Sequence, residues 1–292
     1  MLRYWFLAIR PKTLIASLLP ITAGFLLAQQ KSDEVSLMVA ALCMVYCLLV
    51  QVATNLANDY FDHQKGGDDI RELGPDRMVS SGRLKPKFVL AVACFILLLS
   101  FFVGLAILEI VEGSPWLIVV GVVSVICALA YTGGPFPLAY NALGDVFVVL
   151  FFGVVAVEVT HLVLCNSVGV IWESNFILSV GVGLLTNNLL VVNNYRDYHE
   201  DKIVGKRTSI VLFGRNFGSI LFLLSLFFVF ILTPILEPSA WATTFLFVFG
   251  LFLWFKLRKA LISSDFNLVL TGSAFLILFQ TILLVFGFYQ SK

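Results

Sequence analysis

Long apolar runs alternate with short polar breaks along almost the whole chain. Nine runs approach the roughly 20 residues that an α-helix needs to cross a bilayer. They cover residues 13–30, 36–57, 88–108, 115–131, 142–163, 168–193, 217–236, 239–255 and 266–288. Most end at charged or Pro/Gly-rich stretches, and the break between the seventh and eighth is short. The pattern predicts an all-α, polytopic membrane protein with about nine transmembrane helices, forming one membrane-embedded domain over residues 1–292. Composition agrees with this. The chain is 60% hydrophobic and 13% charged, about half the charge of an ordinary soluble domain, and its mean hydropathy is +0.97.

The net charge of +1 says little, but its placement says much. Numbering the breaks alternately from the N-terminus puts 17 of the 19 Lys and Arg on one side. Only Lys31 and Lys292 fall on the other. Such asymmetry sets orientation, because basic loops stay in the cytoplasm. It predicts a cytoplasmic N-terminus, two long cytoplasmic loops and an outer C-terminus, as in a bacterial cytoplasmic (inner) membrane. With the basic residues marking topology, the expected surroundings are a lipid bilayer and no nucleic acid. Arg3, Arg10 and Lys12 ahead of an apolar stretch imitate a signal peptide, but no small-x-small cleavage site follows and the alternation requires that helix. Cys43, Cys47, Cys94, Cys127 and Cys165 lie mostly in apolar runs without metal-ligand spacing and read as packing residues.

Two segments predicted to be cytoplasmic break the apolar pattern. The first begins NLANDYFDHQKGGDD at Asn55, and the second begins NNYRDYHEDKIVGKR at Asn193. Their recurrence half a chain apart suggests two related halves, about 1–135 and 136–292. Asn58 and Asp62 are four apart, as are Asp197 and Asp201. On a helix such pairs share a face and present two oxygen ligands to one point. A hard cation wants oxygens, and Mg²⁺ is usually held by one or two carboxylates plus substrate phosphates and water. Lys65, Arg71 and Arg77 stand beside the first acids, and Lys202, Lys206 and Arg207 beside the second. These supply charge-assisted bonds to phosphate oxygens. Carboxylates near the ends of membrane helices are costly, and the same pattern occurs twice, which argues for a site rather than solvated loops. Asp59 and Asp68 are possible accessory acids; Asp69, Glu72 and Asp76 lie in the same Gly-rich stretch.

A third predicted cytoplasmic segment is nearly uncharged: YTGGPFPLAYNALGD, from Tyr131 to Asp145. Its Gly and Pro enforce a rigid connection. Tyr131 and Tyr140 either face a substrate, where a ring can stabilise a cation, or sit at the interface as belt tyrosines. Glu158 and His161 stand three apart toward the outer end of one helix and read as a paired polar patch. His63 and His199 lie inside the Asp motifs, but His is a poor Mg²⁺ ligand.

At these residues the chain resembles the intramembrane aromatic prenyltransferases, the superfamily that includes 4-hydroxybenzoate polyprenyltransferase. Its NDxxDxxxD signature is matched at its start by Asn58, Asp59 and Asp62, and its DxxxD signature by Asp197 and Asp201. The final Asp of the first signature falls on Gly66. In that departure the loop is similar to the 1,4-dihydroxy-2-naphthoate branch, as are RPKTL at Arg10–Leu14, Tyr131–Gly153 and Asn193–Thr208. The resemblance implies nine helices around a central cavity open to lipid, capped by the cytoplasmic loops. It implies transfer of a polyprenyl chain from polyprenyl diphosphate to 1,4-dihydroxy-2-naphthoate, with loss of diphosphate and CO₂, giving demethylmenaquinol for menaquinone biosynthesis. On this view Mg²⁺ is held by Asn58, Asp62, Asp197 and Asp201, and Lys65, Arg77, Lys202 and Lys206 bind diphosphate. Tyr131 lines the acceptor or the carbocation, with Asn55 and Asn194 as further candidates.

The nearest alternatives keep the fold with another acceptor (homogentisate, 4-hydroxybenzoate or a porphyrin) or a phytyl donor. A secondary transporter would use Asp pairs for a coupling ion, but places them near the midplane on broken helices. The longer Asp-Gly-Ala-Arg-type signature of the CDP-alcohol phosphotransferases is absent.

Overall fold

In the computed structural model residues 1–66, 73, 74 and 76–291 are described, and among them the regular elements are helices. A short α1 (Leu2–Ile9) precedes α2 (Pro11–Lys31), α3 (Leu37–Gln64), α4 (Pro86–Ile110) and α5 (Trp116–Ala130). Then come α6 (Gly144–Asn166), α7 (Phe176–Arg196), the short α8 (Tyr198–Ile203) and α9 (Ser209–Phe213), α10 (Arg215–Leu236), α11 (Pro238–Lys259) and α12 (Ser263–Gln290). Eight of these are long and apolar enough to span a membrane. The remaining expected span, the fourth, is α5 and has 15 residues. At 1.5 Å per residue it is about 22 Å long, short of the roughly 30 Å hydrocarbon core.

The helix ends have local causes. Arg10 takes a left-handed conformation, φ 57°, and Pro11 follows, so α1 and α2 are separate. Ser36 accepts from Val39 N at the start of α3, and Thr208 from Val211 N at the start of α9. The sixth expected span began at 168, yet α7 begins at Phe176, where Asn175 Oδ1 accepts from Leu178 N. Residues 168–172 are apolar enough to imitate helix, but Ile171 and Trp172 are exposed there, as interfacial residues are.

Backbones approach closely where α6 crosses α7. A Cβ on Gly153 would lie 2.5 Å from the Ser179 carbonyl oxygen, and one on Gly183 2.6 Å from that of Val149. Small residues at such crossings let helices pack without a hydrophobic drive between them. The same stretch of α6, Val149–Val155, is π-helical, a local widening that recurs near functional sites.

Of the long helices α7 is the most enclosed, with Leu178, Leu185 and Val192 in one apolar core with Phe222, Phe230 and Leu276. The outer surface exposes large apolar side chains such as Phe95, Phe102, Val119, Phe245 and Val248. Patches of that kind belong against lipid rather than water, so the chain is an integral membrane protein.

Helices α2 to α7 enclose a cavity of about 350 Å³. Its walls are mainly apolar, with Ile21, Leu105, Leu117, Phe151 and Val159 among them. Asn55, Asn58, Tyr131, Asn193 and Arg10 give it a polar end. Chain alternation explains the placement. The helices α3, α5 and α7 end on the face where α2, α4 and α6 begin, and the two Asp motifs lie on that face.

Candidate active site

The last three turns of α3 carry Asn55, Asn58, Asp59 and Asp62, all buried. Helical spacing puts Asn58 and Asp62 on one side and Asp59 on another. The first two face the 131–143 connection. Thr132 Oγ1 donates to Asn58 Oδ1 at 2.7 Å, and Tyr140 Oη donates to Asp62 Oδ1 at 2.9 Å. Arg77 Nη2 lies 3.8 Å from Asp62 Oδ2. Lys65 Nζ donates to the Thr132 carbonyl and sits 4.3 Å from the Tyr140 ring centroid. Burial lowers the pKa of Lys65, while Asp62 opposes the shift.

Asp59 points elsewhere. Its Oδ2 accepts from Val79 N at 3.3 Å, with Arg10 as counter-charge. It ties α3 to the 76–84 loop rather than joining the Asn58–Asp62 face. Asn55 Nδ2 donates to the Ile9 carbonyl and Thr13 Oγ1, fastening the turn between α1 and α2 to the cavity wall. His63 Nδ1 is 3.3 Å from Ser80 Oγ.

Across the cavity mouth, α7 ends at Arg196 and one more helical turn continues into α8, where Asp201 N donates to the Asp197 carbonyl at 2.8 Å. That turn keeps Asp197 and Asp201 on one face. Lys206 Nζ lies 3.3 Å from Asp201 Oδ1. Arg196 holds Asp197 bidentately, Nε to Oδ1 at 2.5 Å and Nη2 to Oδ2 at 2.9 Å. Asp197 therefore reaches a metal only by sharing an oxygen with that guanidinium. Lys202 is exposed on α8 and is not gathered with Lys65, Arg77 and Lys206. Asn193, not Asn194, lines the cavity; Asn194 is buried in the helix packing behind it. Asp68, with Asp69, Arg71 and Glu72, lies outside the described residues.

The two motifs meet at the uncharged connection. Lys206 Nζ stands 5.6 Å from the same Tyr140 ring that Lys65 covers, and Arg207 N donates to the Tyr140 carbonyl at 3.1 Å. The loops are also laced directly, since Glu200 Oε1 accepts from Leu73 N and Ser263 Oγ donates to the Leu73 carbonyl.

Among the described residues no three His, Cys, Asp or Glu side chains cluster closely enough to hold a metal unaided. Asn58 with Asp62 and Asp197 with Asp201 offer oxygen atoms only. Such a donor set fits a hard cation that completes its shell with ligands from outside the protein.

A family model described as the UbiA prenyltransferase family matches residues 17–267. The chain belongs to the UbiA prenyltransferase family. It is 34% identical over 226 residues to the 1,4-dihydroxy-2-naphthoate octaprenyltransferase of Haemophilus influenzae, covering 75% of this chain and 72% of the relative. The Mycobacterium leprae protein of the same name is 37% identical over 213 residues, covering 72% and 69%. A solved UbiA homolog from Archaeoglobus fulgidus, bound to GPP and Mg²⁺, matches with a TM-score of 0.64 at 16% identity, over 97% of this chain and 99% of that one. That likeness establishes the fold.

Two residues of this UbiA prenyltransferase, Arg10 and Asp145, were not singled out from its sequence as parts of the site. Arg10, counted there for topology and motif, lines the cavity. Asp145, at the start of α6, accepts from Asn187 Nδ2 and Ser209 Oγ and so joins α6, α7 and α9. Gly66, where the longer signature has Asp, adopts φ 66° just past the end of α3. A left-handed residue closes a helix there, which suits Gly. Tyr131 lies where expected, on the cavity wall. Glu158 does not pair with His161. Its Oε1 accepts from Asn175 N at 3.0 Å and Ser179 Oγ at 2.6 Å, anchoring the start of α7.

Proposed function

We propose that this prenyltransferase joins a polyprenyl chain, delivered as its diphosphate, to 1,4-dihydroxy-2-naphthoate. Diphosphate and CO₂ leave, and demethylmenaquinol forms for menaquinone biosynthesis. One observation carries the reading: Asp62, Lys65, Lys206 and Tyr140 converge, with Asp201 beside Lys206, over an apolar cavity with a polar mouth. The names of the Haemophilus and Mycobacterium relatives support the acceptor. The GPP and Mg²⁺ of the Archaeoglobus homolog support the donor class and the metal. The placement of Lys and Arg supports a cytoplasmic mouth.

Breaking the allylic C–O bond leaves its electron pair on the diphosphate and a positive charge on the prenyl carbon. Asn58, Asp62, Asp197 and Asp201 would hold Mg²⁺, which would supply Lewis-acid stabilisation of that leaving group. Lys65, Arg77 and Lys206 add charge-assisted bonds to the diphosphate oxygens. The isoprenoid lies along the apolar walls, where each buried CH₂ contributes about 0.8 kcal/mol, and those walls keep water from the carbocation. Arg10, the only Lys or Arg on the wall among the described residues, pairs with the acceptor carboxylate. Tyr131, a neutral phenol, donates to the acceptor or turns its ring to the cation. The ring carbon bearing the carboxylate forms the new C–C bond. The C–CO₂ bond then breaks and returns its electron pair to the ring, so no ring proton is removed.

The test uses purified protein in nanodiscs with 1,4-dihydroxy-2-naphthoate and farnesyl or geranylgeranyl diphosphate, with Mg²⁺ or EDTA, followed by mass spectrometry. A Mg²⁺-dependent prenylated product lacking the carboxylate mass is expected. A product formed only with another aromatic acid would replace the acceptor and keep the chemistry. Absence of product across a panel of acceptors, with an Asp62-dependent ion uptake in vesicles, would replace prenyl transfer by transport.

A further inference from the structure

Tyr140 belongs to neither Asp motif, yet it touches both. Its hydroxyl donates to Asp62 Oδ1 at 2.9 Å. Lys65 Nζ, from the end of α3, is 4.3 Å from its ring centroid, and Lys206 Nζ, from the turn after α8, is 5.6 Å away. Its carbonyl accepts from Arg207 N, and Asn141 pairs with Arg207 in an isolated bridge. The ring is held by a stiff connection. Ala139 N donates to the Tyr131 carbonyl at 2.8 Å, Asn141 Nδ2 to the Pro137 carbonyl at 2.8 Å, and Leu138 and Ala139 are buried.

Two ammonium groups near one point repel each other, and gathering them costs side-chain freedom. An aromatic face offsets part of that repulsion through its quadrupole. A ring fixed by its own backbone does so before any ligand arrives, which lowers the ordering cost of binding. The hydroxyl acts on a different partner, fixing the rotamer of Asp62 and leaving Oδ2 toward Arg77.

We infer that Tyr140 is a positioning residue with two separable roles: its ring preorganises Lys65 and Lys206 for the diphosphate, and its hydroxyl presents Asp62 to the metal. The inference rests on the prenyl-diphosphate reading of this site. The two roles predict different phenotypes for two variants. Tyr140→Phe keeps the ring and loses the hydroxyl, so the Mg²⁺ concentration at half-saturation rises about five- to tenfold. Its affinity for prenyl diphosphate at saturating Mg²⁺ stays within about twofold of wild type. Tyr140→Leu loses both, so that affinity also falls about tenfold.

Binding is measured by calorimetry with farnesyl thiodiphosphate, an unreactive donor analogue, over a Mg²⁺ series in nanodiscs, for wild type and both variants. The readout does not depend on the acceptor. Melting temperatures run in parallel, and Tyr140→Phe, which preserves the packing of the loop, remains informative if Tyr140→Leu is unstable. A shift in Mg²⁺ midpoint with Phe and a further loss of donor affinity with Leu support the inference. Wild-type binding with an unchanged Mg²⁺ midpoint in Tyr140→Phe overturns it, as does unchanged donor affinity in a folded Tyr140→Leu. If wild-type protein itself does not bind the analogue, the prenyl-diphosphate reading fails and this inference with it.

Discussion

Asp59 and Asp62 sit three residues apart on one helix, and the structure predicts opposite consequences for neutralising them. Asp62→Asn preserves shape. The amide oxygen still accepts from Tyr140 Oη, so the 131–143 connection keeps its anchor. What is lost is the negative charge facing Lys65 and Arg77, 3.8 Å away in the latter case, and with it the carboxylate proposed to hold the metal. Removing one electrostatic contact that counts in the transition state costs about 2.7–4 kcal/mol, or roughly 10²–10³ in kcat. Asp59→Asn does something else. The Asp59 carboxylate is 1% exposed, accepts from Val79 N at 3.3 Å and has Arg10 as counter-charge. The amide oxygen still accepts from Val79 N, but the charge facing Arg10 is gone and a buried NH2 is left without an acceptor, which costs about 1–3 kcal/mol of stability, and the rate per folded molecule should fall less than about tenfold.

The assay pairs steady-state kinetics at saturating Mg²⁺ with a thermal melt of the same preparations. Asp62→Asn should lose its rate with little change in melting temperature; Asp59→Asn should melt several degrees lower and keep most of its rate. The refuting result is an Asp59→Asn protein that melts like wild type but is as inactive as Asp62→Asn. Asp59 would then belong to the metal face, and the division of α3 into a catalytic and a structural side would be wrong.

Three further outcomes follow from the same geometry. Arg10→Gln should raise KM for 1,4-dihydroxy-2-naphthoate about tenfold while leaving KM for the prenyl donor within about twofold, because a charged hydrogen bond to the acceptor is lost; equal effects on both KM values would place Arg10 elsewhere. Gly183→Val puts a Cβ 2.6 Å from the Val149 carbonyl oxygen and 2.9 Å from its Cα, both backbone atoms, so α6 and α7 must separate at a cost of about 1–3 kcal/mol or more, read as lower yield and melting temperature. Because burial depresses the Lys65 pKa, its cationic form is lost as pH rises, at lower pH than for an ordinary lysine; the alkaline limb of the kcat/KM profile should therefore move to higher pH in Lys65→Arg, whose guanidinium does not titrate there.

The membrane fold was legible because one signal, hydropathy, decides both where helices run and where they stop. Its failures have local causes. Residues 168–172 are apolar without being helical, since an interface tolerates Ile171 and Trp172 outside a helix. The α5 helix is cut to 15 residues between Gly113 and Gly133, whose flanking turns hydropathy does not weigh. The shared face of Asn58 and Asp62 on α3 was legible too, because i and i+4 spacing survives unchanged from sequence to helix. The rule weakens at a helix end. At the end of α7 the sequence reading offered Asn194, whereas Asn193 lines the cavity, and it did not foresee that Arg196 would turn back onto its neighbour Asp197.

Charge was the second guide, and it both found and hid residues. It marked Lys65, Arg77 and Lys206 beside the acids, where the structure has them. It also marked Lys202, which points outward from α8, because proximity in sequence carries no direction on a short exposed helix. It filed Arg10 under topology, although a left-handed turn at φ 57° swings that residue onto the cavity wall. The connection that brings the two motifs together has almost no charge. Tyr140 joins Lys65, Lys206 and Asp62 by a ring face and a hydroxyl. Neither is visible as a motif, since both depend on three segments meeting in space. A site assembled from two charged loops needs something between them to settle their separation, and here that part falls to a Gly- and Pro-stiffened connection whose sequence looks like a simple turn.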